Sequence, residues 1–218
     1  MNAPTFSLWR FASSFPDAHA RSYVAVKVAT DPLYPAVWSA LRHTTAPLLD
    51  IGCGMGVLSY FLRAHGFAPA IHGIDYDPRK IESASTVLPY RHTSGLSFAQ
   101  GDARLGLPDH CGSVTVLDIL QYFPPDQQAD LLTEAAARIG EGGVLVIRSC
   151  LETPGWRFGF TRWGDRMANH LNWMQAPPVH YPTPKSLTDT LNTAGLTGSL
   201  RPLYGKTPFN NWLAIFRR

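Results

Sequence analysis

The stretch Pro47-Leu-Leu-Asp-Ile-Gly-Cys-Gly-Met-Gly-Val-Leu58 restricts the fold of this chain more than any other. Leu48, Leu49 and Ile51 form a short apolar run of the kind that fills a buried parallel strand. Gly52, Gly54 and Gly56 follow at alternate positions, and Val57, Leu58, Tyr60, Phe61 and Leu62 then recur at helix-like spacing. Strand, glycine turn and helix in direct succession let backbone approach a ligand closely and aim free N–H groups at it. The dinucleotide fingerprint GxGxxG requires glycine where this chain has Val57. The spacing here is GxGxG, and Asp50 stands just ahead of it. A carboxylate at that point suits a ligand carrying an ammonium group and disfavours a pyrophosphate.

The run hydrophobic-hydrophobic-Asp-x-Gly-x-Gly-x-Gly resembles the first motif of the class I S-adenosylmethionine-dependent methyltransferases. The alternative is a glycine-rich turn without a ligand. The resemblance implies a doubly wound α/β fold, with a mostly parallel seven-stranded sheet, helices on both faces and a C-terminal antiparallel hairpin. It also implies S-adenosyl-L-methionine as cofactor, S-adenosyl-L-homocysteine as product, and Asp50, Gly52, Cys53, Gly54 and Gly56 as cofactor contacts.

The next strands carry further candidates. Ala70–Ile74 reads as the second strand, and Asp75 follows about 20 residues past the glycine turn, placed to accept both hydroxyls of a ribose. Tyr76 beside it joins the cofactor set. Asp77-Pro78 reads as a helix cap followed by proline at the first helical position, with the helix running to about Ser85, and His72 as a residue pointing into the sheet. Residues 86–95 read as a loop. The third strand, from Leu96, ends in Gly101-Asp102-Ala103. The resemblance carries to Asp102, with Ala103 beside it, the family's acceptor of adenine amino hydrogens; a turn aspartate capping its own backbone is the alternative. The fourth strand, Gly112–Leu120, delivers Asp118, Ile119 and Tyr122 where ligands sit in open α/β sheets. Family members frequently have histidine at Gln121, and glutamine cannot act as a base. Relatives that methylate exocyclic amines of bases carry Asn or Asp before paired prolines, whereas this chain reads Phe123-Pro124-Pro125. A helix from Asp126, as its starting cap, to Ile139 and a strand from Gly143 to Arg148 complete the core.

The whole chain, 1–218, reads as a single domain in four parts: an N-terminal helical cap (1–46), a cofactor-binding core (47–150), a substrate-lid insertion (151–182) and a C-terminal helix and hairpin (183–218). In the cap, Val24, Val28, Leu33, Val37 and Leu41 cover a core face, and Asp31-Pro32 marks a helix start. Tyr23 and Arg21 are candidate lid contacts, or else members of an ordinary surface helix. In the insertion, Trp156, Phe160, Trp163, Met167, His170, Leu171 and Met174 fall at steps of three or four. That stripe fits a helix packed on the core, a lid over an aromatic pocket, or an interfacial helix making peripheral membrane contact through 156–174. Thr183-Pro184 starts the last helix, and Leu196–Leu203 and Asn211–Phe216 read as the closing strands.

Composition bounds the function. A chain of 218 residues, 45% apolar and 16% charged, fits one globular domain. A net charge of +3 is too small to mark a nucleic-acid footprint, so nucleic acid is not the expected partner. Cys53, Cys111 and Cys150 lie at neither disulfide-framework nor zinc spacing, which fits a reducing, cytoplasmic setting, as does the lack of a signal-like or membrane-spanning run. The expected activity is methyl transfer to a small aromatic or otherwise apolar molecule. His170 and His180 are candidate bases, and Tyr122 a candidate for orienting the acceptor. The competing readings are a nucleic-acid or protein methyltransferase, a dinucleotide-dependent oxidoreductase and a non-catalytic binding subunit. The sequence leaves oligomeric state open.

Overall fold

The computed structural model describes residues 7–87, 94–170 and 180–218, without the side chains of 168–170. Most of the expected 86–95 loop, and Leu171 and Met174 of the stripe, lie outside the described residues. All four residues of β1 (Leu48–Ile51) are buried, so both faces of this strand are covered. It sits between β2 (Ile71–Asp75) and β4 (Ser113–Leu117), parallel to both. With β3 (Leu96–Gln100), β5 (Leu145–Cys150), β6 (Thr197–Pro202) and β7 (Asn211–Arg217), the sheet order is β3-β2-β1-β4-β5-β7-β6. The first five strands run parallel, and β7 is antiparallel to both of its neighbours. This is the doubly wound sheet with a terminal hairpin that the sequence implies.

Side chains alternate across a strand, so β1 divides its residues between two layers. Leu48 packs with Phe11, Phe15, Val24, Val37, Phe61 and Leu62, the layer supplied by α1 (Leu8–Ala12), α2 (Ala18–Thr30), α3 (Leu33–Leu41) and α4 (Val57–Ala64). Leu49 and Ile51 pack on the other side with residues of α6 (Pro125–Ala137) and α8 (Pro184–Thr193). Between them, α5 (Pro78–Ser85) follows β2 and is capped by Asp77, whose side chain accepts from Arg79 N. The order of strands reverses between β1 and β4, which opens a crevice at their C-terminal ends.

Asp31-Pro32 marks a helix start as expected, and two other local expectations change. Asp31 closes α2 as its C-cap, and its Oδ1 also accepts from Leu33 N at 2.9 Å at the start of α3. The helix α6 begins at Pro125 with Pro124 in the cap position, so Asp126 is a first-turn acid favoured by the helix dipole and not the cap. His72 is half-buried, and its Nδ1 lies 2.8 Å from Ser97 Oγ.

The larger correction concerns α7 (Trp156–His170). Its aromatic stripe faces outward: Trp156 is 66% and Trp163 59% exposed, with Phe160 and Met167 exposed as well. Core packing of that stripe is overturned. The inward face is a polar one. Thr161 is buried and its Oγ1 accepts from Asn210 N at 2.8 Å, while buried Asn210 Nδ2 donates to Leu151 O at 2.7 Å and Thr153 Oγ1 at 2.9 Å. Arg157 Nη1 donates to Thr207 O at 2.5 Å, its guanidinium 4.4 Å from the Tyr204 ring centre. Hydrogen bonds through the polar face, and not the apolar stripe, therefore dock this helix. Among the described residues no helix is long and apolar enough to cross a membrane.

Removing the buried amide in Asn210→Ala leaves the Leu151 carbonyl without its donor, an expected loss of about 1–3 kcal/mol. Trp163→Ser on the exposed face is expected to change stability by less than about 0.5 kcal/mol. Urea denaturation of both variants checks the orientation of α7.

Candidate cofactor and acceptor site

The glycine turn is built from three left-handed residues, with φ of +74° at Gly52, +57° at Gly54 and +72° at Gly56. A Cβ on Gly56 would stand 2.8 Å from the Phe98 ring, so this position requires glycine for space as well as for conformation. At Gly54 nothing lies within 4 Å of a Cβ position, and the turn is open there. Asp75 braces the turn: its Oδ2 accepts from Gly54 N at 2.9 Å and its Oδ1 from Asp77 N at 3.0 Å. Cys53 is buried beside the turn, its thiol pushed up by burial first and then by Asp50 and Asp75.

Asp50 lies between Gly73 and Thr115 in the sheet and is 2% exposed. Its Oδ1 accepts from Thr115 Oγ1 at 2.7 Å, while Oδ2 is buried with no hydrogen-bond partner among the described residues. Burial pushes its pKa up to about 6; the Thr115 hydrogen bond opposes that rise and the Asp75 charge adds to it. A buried carboxylate oxygen without a donor is costly, and a cation placed against it relieves the cost.

At the end of β4, Asp118 adopts φ +58° and Ile119 reaches back over Gly52, its Cγ2 2.6 Å from where a Cβ on that glycine would stand. The sequence gives no warning of the group that holds Asp118 in place. Arg148 of β5, its side chain 4% exposed, donates through Nε to Asp118 Oδ1 at 2.8 Å, through Nη2 to Asp118 Oδ2, and through Nη1 to Asp31 Oδ1 at 2.6 Å. Burial opposes its charge, but Asp118 and Asp31 together hold the guanidinium firmly protonated. One buried cation thus ties the α2–α3 corner to the rim of the crevice. A β5 residue reads from sequence as sheet packing, and only the sheet order brings both acids to it.

The other candidates fall as follows. Tyr76 is exposed, with Lys80 Nζ 5.9 Å from its ring centre. Asp102 is engaged by Arg104, through the backbone N at 3.0 Å and the guanidinium at 2.5 Å, so the turn-capping arrangement is present and an adenine would have to share that carboxylate. Ala103 packs at the edge of the second apolar layer. Tyr23 is 43% exposed on α2, with Lys27 Nζ 5.4 Å from its ring centre, and Arg21 is tied to Phe15 O at 2.8 Å. Tyr122 is half-buried, its hydroxyl pushed up to about 12 by burial first and then by Asp165 and Asp118. His180 is exposed and joins Gln121 O through its backbone N at 3.3 Å. The side chain of His170 lies outside the described residues. Among the described residues no cluster fit to hold a metal occurs.

A seven-stranded sheet in this order, with the glycine turn after β1, is the Rossmann-like methyltransferase fold. The chain belongs to the methyltransferase-domain family, whose sequence profile matches residues 29–199. Ribosomal protein L11 methyltransferase of Paraburkholderia phytofirmans is 32% identical over 135 residues, 58% of this chain and 41% of that protein. Trans-aconitate 2-methyltransferase of Streptomyces coelicolor is 29% identical over 162 residues, 70% of this chain and 52% of that protein. The match thus spans about half or less of these relatives' own length. Among solved structures, magnesium protoporphyrin IX methyltransferase of Synechocystis, with S-adenosylhomocysteine bound, superposes with TM-score 0.67 at 17% identity, covering 97% of this chain and 93% of that one.

The residues fit S-adenosylmethionine as cofactor: the open turn at Gly54 leaves room for it, and its ammonium would answer the Asp50 oxygen that has no partner among the described residues. An ammonium there lowers the Asp50 pKa, so binding releases a proton wherever free Asp50 is protonated. Affinity for S-adenosylmethionine is therefore expected to be level above about pH 7 and to fall by up to about tenfold per unit below about pH 6. Calorimetry from pH 5 to 8 in buffers of different ionisation enthalpy checks this.

Proposed function

We propose that this chain transfers the methyl group of S-adenosylmethionine to a small aromatic or otherwise apolar molecule. The observation that carries the reading is the buried, unpartnered Asp50 oxygen beside an open glycine turn. When bound, the cofactor supplies a methyl group on sulfonium sulfur, activated for in-line displacement. Asp50 would hold its ammonium, and the backbone of Gly52, Cys53, Gly54 and Gly56 would cradle its amino-acid part. Asp75 and Tyr76 would meet the ribose, Asp102 and Ala103 the adenine, with Asp118 and Ile119 as the wall and Tyr23 on the covering helix. In this reading residues 1–46 cap the core 47–150, and 151–182 carries the acceptor side ahead of the closing helix and hairpin.

The chain's remaining work is to place the acceptor, which is worth ~7–11 kcal/mol in favourable cases. Half-buried Tyr122, Phe158 and Tyr181 supply aromatic walls, and the Phe158 and Tyr181 rings meet edge to face with centroids 5.3 Å apart. The alignment with trans-aconitate methyltransferase covers more of this chain than that with the L11 enzyme, which supports a small acceptor. A protein acceptor is the rival reading, drawn from the L11 relatives.

Calorimetric titration with S-adenosylmethionine and with NAD is expected to show binding of the former alone. Mass-spectrometric detection of S-adenosylhomocysteine over a panel of small aromatics and carboxylic acids, with ribosomal protein L11 alongside, then separates the acceptors. Turnover of the small molecules is expected. Turnover of L11 alone would overturn the small-molecule reading.

A further inference from the structure

Asp165 lies half-buried on the inward face of α7, one turn beyond anchored Thr161. Its Oδ2 accepts from Tyr181 Oη at 2.6 Å. Tyr181 is itself fixed, edge-on to Phe158 at 87°, and its chain neighbour His180 is tied to the turn after β4. His180 N donates to Gln121 O at 3.3 Å, and buried Gln128 Nε2 donates to His180 O at 3.0 Å. The same amide donates to Leu120 O and Phe123 O, binding this chain segment to the short 3-10 turn that carries Tyr122. Three parts of the fold thus converge on one carboxylate: α7, the segment at 180–181 and the turn after β4.

The charged and titratable groups around it come from each of those parts. Tyr181 faces it directly, Tyr122 and Asp118 from the turn after β4, Cys150 from the end of β5, and Arg162 of α7 acts on Tyr181. Burial, then Asp165, pushes the Cys150 thiol up to about 12, and Tyr122 is raised to a similar value. Both are neutral proton carriers near pH 7. Burial also raises Asp165 itself; the Tyr181 hydrogen bond works against that rise and Asp118 adds to it. The result is a carboxylate of heightened basicity among neutral hydroxyls and aromatic rings, beside the strand ends that form the crevice.

We propose that Asp165, held by the Tyr181 hydroxyl, removes the proton from an acceptor hydroxyl as that oxygen is methylated, so that the acceptor is a phenol or a comparably weak enol. The inference rests on the methyl-transfer reading and adds the reacting group. The acceptor O–H proton passes to the Asp165 carboxylate, an oxygen lone pair forms the bond to the methyl carbon, and the carbon–sulfur pair stays on sulfur as the sulfonium becomes a neutral thioether. A phenol needs such a group because its pKa, about 10 for tyrosine, leaves it protonated at neutral pH. A carboxylic acid is already ionised there and needs none. His180, with its exposed ring, and Tyr122, a neutral phenol itself, are less suited to the task.

The test uses the full chain saturated with S-adenosylhomocysteine, with naphthol and its methyl ether as probes in calorimetry. The wild type is expected to prefer naphthol by about tenfold or more through a charge-assisted hydrogen bond. Asp165→Asn, nearly isosteric, is expected to lose that preference. With S-adenosylmethionine kept saturating at every pH, so that Asp50 adds no limb, and a phenol panel, Asp165→Asn is expected to lower turnover about 10²–10⁴-fold and remove the rising low-pH limb of kcat/KM for the phenol. In Tyr181→Phe that limb is expected to move to higher pH, since the lost hydrogen bond lets the Asp165 pKa climb. An unchanged preference and limb in a folded Asp165→Asn protein overturns the proposal. So does a wild type that binds S-adenosylmethionine yet neither binds naphthol nor methylates any phenol. Failure to bind S-adenosylmethionine fails the underlying reading instead.

Discussion

The fold is arranged around a carboxylate placed where sheet packing alone would put an aliphatic side chain. Asp50 occupies an interior strand that is buried throughout, and among the described residues only one of its oxygens is satisfied, by Thr115. Such a group is tolerated when the adjoining structure leaves room for a cation and holds the approach to it open. Opposite Asp50, Gly73 has no side chain, and the space that a Cβ would take is filled by Cys53, whose Sγ would stand 2.8 Å from it. The opening lies in the glycine turn, where nothing stands within 4 Å of a Cβ position at Gly54.

Arg148 extends this logic from the turn to the rest of the crevice. Its guanidinium is buried beneath the sheet's C-terminal edge and is neutralised by Asp118 on one side and Asp31 on the other. Asp118 holds a left-handed backbone that a non-glycine residue adopts at a cost, and the bidentate pair with Arg148 is what keeps it there. Because Asp31 closes α2 and opens α3, the placement of the corner between these helices depends on the same cation. That corner and the rim are therefore tied together through β5, although neither is near it in sequence.

The core of the fold is legible in the sequence because its signals are local. The run Leu48–Ile51, the alternate glycines, the Asp77-Pro78 helix start and the Thr183-Pro184 helix start each act within a few residues, and each forms as its local chemistry dictates. The bridge through Arg148 is not legible, because its partners lie 30 and 117 positions away and only the strand order joins them. The direction of α7 is not legible either. Spacing shows that a helix has an apolar face, but which face meets the protein is set by what each face can bond. Thr161 and Arg157 find partners at Asn210 and Thr207, and those bonds turn Trp156 and Trp163 to the outside.

That reversal also determines which side chains α7 turns inward. Had the aromatic stripe faced inward, the crevice would have been lined by tryptophan and methionine, and any proton acceptor would have had to come from a histidine at its border. With the polar face inward, the helix instead presents an acid, and the segment at 180–181 contributes the tyrosine that orients it. The fixing bonds are mostly to backbone carbonyls and amides, through Asn210, Arg157 and Gln128, so the placement of Asp165 does not depend on close apolar packing around it. Asp165 is half-buried, so bonds of this kind fix the helix that carries it without the core having to close over the carboxylate.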